Sequence, residues 1–99
     1  MNSRNNFLGY AGASPVVGSL LRFGRNAAVI GRVTLGTDVW IGDSTVIRAD
    51  GNYVRAGREL MLGPRVTVHI AHNTIPTLIG RRVTVGTFGV VHACTIGDD

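Results

Sequence analysis

The 99-residue chain has no lysine, one glutamate (Glu59) and one cysteine (Cys94). Without Lys, and with almost no Glu, it is short of the residues that favour helices. Its 14 Gly and many Val, Ile and Thr favour strands and tight corners instead. A lone cysteine excludes an internal disulfide and gives no sign of an oxidising compartment. No apolar stretch approaches transmembrane length, and Met1 to Asn6 lack the apolar core of a signal peptide. The expectation is a soluble, cytoplasmic protein with no membrane partner. Aromatic residues make up only 6% of the chain and are not interleaved with clustered Arg, which argues against a nucleic-acid partner. All ten basic residues are Arg, set against six acids, for a net charge of +4. Arg25, Arg32, Arg81 and Arg82 read as solvated corner residues, and the excess suits attraction of small anions better than binding of a polyanion.

What the chain does have is a period of six. Val29, Leu35, Ile41 and Ile47 fall at every sixth position, and Ala27, Val33 and Val39 precede the first three by two residues. Neither a helix, with period 3.6, nor an open sheet, with period 2, explains this spacing. A hexapeptide repeat does: each hexad makes one short strand and one corner, and three hexads close a coil around a shared apolar axis. Gly36 and Gly42 come directly after two of the aliphatics, where a glycine would supply backbone angles that a side chain forbids. The pattern returns at Leu62 and Val68, then at Ile79, Val85 and Val91, and slips by one residue to Ile96-Gly97. The fold class expected is all-β, a left-handed parallel β-helix that is short at its C-terminal end. Cys94 takes the hexad place of Val33 and is expected as a small core filler.

Residues 1–26 precede this repeat and read as an entry or capping segment, with residues 27–99 as the β-helix domain. The hexads are interrupted at Asp50-Gly51-Asn52-Tyr53 and again from Ile70 to Pro76. Loops leaving a solenoid at such breaks are the usual place for a site. The chain stops at Asp98-Asp99 in a corner position, as an early-ending version of a longer repeat would.

Several polar stretches carry a resemblance. Asn26-Ala27-Ala28-Val29-Ile30-Gly31, Val46-Ile47-Arg48-Ala49-Asp50, Val66-Thr67-Val68-His69 and Val91-His92-Ala93-Cys94-Thr95-Ile96-Gly97 together resemble the γ-class carbonic anhydrases from about Pro15 onward. The resemblance implies a homotrimer that hydrates CO2 reversibly to bicarbonate at a zinc ion held between subunits. Arg48-Ala49-Asp50 stands where the family has Arg-Gly-Asp, and Arg48 and Asp50 would shape the water network and the subunit contact. His69 and His92 match the first and last of the family's three metal-binding histidines. The remaining position is Thr87, and the family's water-orienting glutamine and the aspartate beside it are matched by Gly63 and Pro64. Threonine is a poor zinc ligand, so the resemblance implies a scaffold kept and a metal site degraded.

The same residues have plainer readings. His69 and His92 each come after an inward aliphatic, so both project outward and can serve as surface or interface residues, and Arg48 and Asp50 can be a structural ion pair. Trp40 and Phe88 also alternate outward, as subunit contacts would. His72, in the second break, is a possible substitute ligand. It is also a possible general base, since the run from Met61-Leu62-Gly63-Pro64 through His72 resembles hexapeptide acetyltransferases, which use acetyl-CoA. A third class is a non-catalytic trimeric scaffold. Stoichiometric zinc, CoA binding or neither would discriminate the three.

Overall fold

The structure, a computed structural model, describes residues 6–99. Among them there are twelve strands and no α-helix. All strand pairings are parallel, and they sort into three stacks, one for each side of a coil. The first side comprises β1 (Phe7–Leu8), the beginnings of β4 (Ala28–Leu35) and β6 (Val46–Ala56), β8 (Thr67–His69) and β11 (Val90–His92). The second takes β2 (Val16–Val17), the ends of β4 and β6, β9 (Thr77–Ile79) and β12 (Thr95–Ile96). The third is β3 (Leu21–Phe23), β5 (Val39–Ile41), β7 (Met61–Leu62) and β10 (Thr84–Val85). This is the parallel β-helix that the hexad spacing implies, with about four coils.

Strand alternation explains the core. Every second residue of each strand points to the axis, so the hexad aliphatics meet there. Val29, Leu35, Ile41 and Ile47 are all at most 3% exposed. Successive hexads turn onto successive sides, so the vertical columns consist of residues one coil apart. Val29 lies over Ile47, Ile47 over Val68, and Val68 over Val91. These steps lengthen from eighteen residues to twenty-one and then twenty-three, because both sequence breaks insert at the corner between the first and second sides. The slip after Val91 shortens the last step, in which Ile79 lies over Ile96. Two threonines stand among the buried aliphatics: Thr77 donates to His69 O of its own coil and accepts from Ala93 N–H of the next, and Thr45 bonds to the next coil only. Thr45 Oγ1 donates to Gly63 O at 2.6 Å and accepts from Val66 N–H at 3.1 Å.

The corner glycines act by a different cause from the one their position suggests. Neither Gly36 nor Gly42 has positive φ; the left-handed residues stand two positions later, at Asp38 (φ 59°) and Ser44 (φ 56°). What excludes a side chain is the next coil. A Cβ on Gly36 would lie 2.6 Å from Arg58 N, and one on Gly42 2.6 Å from the carbonyl carbon of Gly63. Glycine here permits close stacking rather than unusual torsion. A second correction concerns Cys94, which is exposed. It extends the column of buried Thr77, but it sits in the last coil, where no further strand of the described residues stacks on it.

Candidate functional site

On the first side Ile47, Val68 and Val91 point inward to the axis. The next residue of each strand must therefore point outward, which places Arg48, His69 and His92 one above another near the end of that side. The His69 and His92 rings stack with centroids 5.5 Å apart and planes 10° from parallel. Asp50, just past the corner, closes on the column. One carboxylate oxygen lies 2.8 Å from His69 Nε2, and the other 3.3 Å from Arg48 Nε.

These contacts set the proton positions. Arg48 Nε also lies 3.2 Å from His69 Nε2, but one ring nitrogen cannot both accept from Arg48 and donate to Asp50. A carboxylate at 2.8 Å requires the donor, so His69 Nε2–H points to Asp50, and Nδ1 has no hydrogen-bond partner among the described residues. His92 repeats the arrangement, with Nε2 at 3.0 Å from the carbonyl oxygen of Ile70. The hydrogen bond from His69 holds the Asp50 carboxyl below its ordinary value; burial opposes this, and Arg48 reinforces it.

The other candidate residues stand apart. His72 is exposed, and its Nδ1 lies 3.2 Å from the backbone carbonyl oxygen of Asp50, so it props the loop rather than joining the ring pair. The ring also fills the space beside Gly51, where a Cβ would lie 1.8 Å from His72 Nδ1. Thr87 lies at the opposite corner of the first side, before β11, with its backbone N 3.1 Å from where a Cβ on Gly63 would fall. Gly63, Pro64 and Thr87 therefore gather at the entry of that side, while His69 and His92 stand at its exit. Trp40 and Phe88 point outward as expected, 45% and 65% exposed. Arg22 stacks over Trp40 and Arg65 over Phe88.

The donor set does not fit a zinc site within one chain. Two imidazoles are present where about three protein ligands are needed. Among the described residues no group of three His, Cys, Asp or Glu side chains is placed to hold a metal ion.

No protein-family model matches the chain. Gamma carbonic anhydrase 2, mitochondrial, of Arabidopsis thaliana is 38% identical over 93 residues, covering 87% of this chain and 33% of that protein. The Probable carbonic anhydrase of Methanocaldococcus jannaschii is 32% identical, covering 80% of this chain and 49% of that one. This chain is a γ-carbonic-anhydrase-like protein. Protein YrdA of Escherichia coli is 34% identical to this γ-carbonic-anhydrase-like chain, with 90% and 52% covered. Among solved structures, a hexapeptide transferase family protein from Anaplasma phagocytophilum superposes with a TM-score of 0.84 at 35% identity, covering 93% of this chain and 53% of its own. The γ-carbonic-anhydrase-like chain spans about a third to a half of the length of these curated relatives.

The sequence located the outward histidines but not their mutual stacking, nor the Asp50–His69 bond. A signal was available. Arg48, His69 and His92 each come directly after a residue of the same inward column, so counting coils rather than hexads would have aligned them.

Proposed function

We propose that this chain keeps the γ-carbonic-anhydrase scaffold with its zinc and CO2 chemistry reduced, and acts chiefly as a trimer-forming structural subunit. The observation that carries this reading is the incomplete donor set. His69 and His92 present two Nδ1 atoms on stacked, hydrogen-bonded rings, while the third ligand position is Thr87. The rings are held as metal-binding histidines usually are, with the other nitrogen donating to a carboxylate or a carbonyl. What is missing is the third donor, which the family draws from a neighbouring subunit. Thr87, at the opposite corner from the rings, is where such a donor would reach across a subunit contact.

The test is metal content and CO2 hydration of the purified protein and of Thr87→His. The expected outcome is sub-stoichiometric zinc and negligible hydration for the native chain, with zinc binding gained in the variant. Loss of one ligand of three lowers affinity by several orders of magnitude, on the order of the energy of one coordinate bond. Catalysis would return only in part, since Gly63 cannot orient a water as glutamine would. Full zinc occupancy and brisk hydration by the native chain would refute the proposal.

His72 supports a second reading, acyl transfer. Its Nδ1–H donates to Asp50 O, which leaves Nε2 without a hydrogen-bond partner among the described residues, on an exposed ring. An unprotonated Nε2 would take the proton of an acceptor hydroxyl as its oxygen attacks the acetyl-CoA carbonyl; the C–S bond then breaks, and the departing CoA thiolate takes up that proton. The likeness to a hexapeptide transferase family protein is consistent with it. Saturable CoA binding would favour this reading over the structural one.

A further inference from the structure

The corner between the first and second sides carries a cavity that the histidine column does not use. It measures about 350 Å³, and its lining includes Tyr10, Arg32, Ala49, Gly51, Asn52 and Asn73. Both sequence breaks insert here, and the antiparallel bridge between Tyr10 and Ala13 closes the upper edge. The wall is backbone where the coils meet. At Gly31 (φ 83°) a Cβ would lie 2.1 Å from Ala49 O, so no side chain can fill the space there.

The side chains that line this cavity include several donors. Arg32 is its only charged residue and has no acidic partner among the described residues. Asp50, the acid that adjoins this corner in sequence, already has one oxygen on His69 and the other on Arg48. Asn52 spends its carbonyl oxygen on Tyr53 N–H at 3.0 Å, which leaves its NH2 free to donate. Asn73 is fixed by its backbone, whose N–H donates to Gly51 O at 3.0 Å; its side-chain amide has no hydrogen bond among the described residues. One unpaired guanidinium and two amide donors make a concave site of positive potential. A guanidinium fork matches two oxygens of a planar anion.

We propose that this corner cavity binds a small planar oxyanion of the carboxylate or carbonate type, with Arg32 as its charge partner and Asn52 and Asn73 as flanking donors. The site is separate from the histidine pair and needs no metal. The test is a titration of the ¹⁵N-labelled protein with acetate, bicarbonate and inorganic phosphate at constant ionic strength in chloride. The signals monitored are the side-chain amides of Asn52 and Asn73 and the Nε–H of Arg32. Acetate or bicarbonate should give saturable shifts at these three residues. Arg32→Gln should weaken binding at least tenfold, Asn73→Ala should weaken it in the same direction, and Arg55→Gln should leave it unchanged. Asn73→Ala also decides the matter if Arg32→Gln does not fold. Linear, unsaturable shifts, or equal losses in the Arg32 and Arg55 variants, would mean general charge screening and overturn the proposal. Tighter binding of phosphate than of either planar anion would overturn the assigned class.

Discussion

Gly42 and Gly86 hold equivalent places in their coils, yet a methyl group added to each meets different surroundings. At Gly42 it would run into the backbone of Gly63 and Pro64, while at Gly86 nothing lies within 4 Å. Gly42→Ala should therefore cost about 1–3 kcal/mol through overpacking. Gly86→Ala, with ordinary backbone angles, should be neutral or stabilise by up to about 1 kcal/mol through the unfolded chain. Paired denaturant titrations check this, and equal effects would contradict the stacking account. Asp50 gives a second test. Its carboxyl pKa is depressed in the folded state, so its contribution to stability is present above about pH 4, where the unfolded group is ionised. That contribution is lost as pH falls through the lower folded value. An NMR titration should place the Asp50 midpoint below the ordinary carboxylate value, and His69→Ala should move it back up. An unmoved midpoint would show that the hydrogen bond is not its cause.

Among the strands, stability should track pairing. β4 and β6 share seven register pairs, whereas β10 and β12 are two residues each with a partner on one side only. Amide exchange should be slowest in β4 and β6 and fastest in β10 and β12; a uniform profile would speak against it. Leu62, fully buried on β7, should cost about 2–5 kcal/mol when changed to Ala. The strand positions were legible because the inward residues of 27–47 are all aliphatic and regularly spaced. Residues 6–26 were less so, since Phe7, Val16 and Leu21 join the same three stacks without a six-residue period. The histidine pair was half legible: outward direction comes from alternation, but stacking depends on two loop insertions whose effect on coil length only three dimensions reveal. The Arg32 cavity had no signal in the spacing at all, because its walls come from separate coils.

For the molecule as a whole, Trp40 and Met61 stand side by side on the third side, and Phe88 and Val90 lead into the first, all at least 45% exposed. Large apolar groups in such company mark an interaction surface. The expected outcome is a trimer of the 10.5 kDa chain by sedimentation equilibrium. Trp40, the sole tryptophan, should shift its emission to the blue as trimers form, and Phe88→Asp should move the equilibrium toward monomer. A clean monomer at all concentrations would remove the partner face that a third ligand position requires.

The direction of the coil axis has a mechanical consequence. The hydrogen bonds between strands run along that axis, and the first and last coils lie at its two ends. A force applied between residues of the first and last coils therefore loads the bonds one rung after another instead of shearing many at once. Extension by optical tweezers should proceed at low force, peeling coils in sequence. The released lengths should be unequal, about 60–80 Å per coil at the reach of an extended chain, because the coils differ in residue number. Under tension the two corner insertions become a ruler: the coils that carry them yield the longer steps.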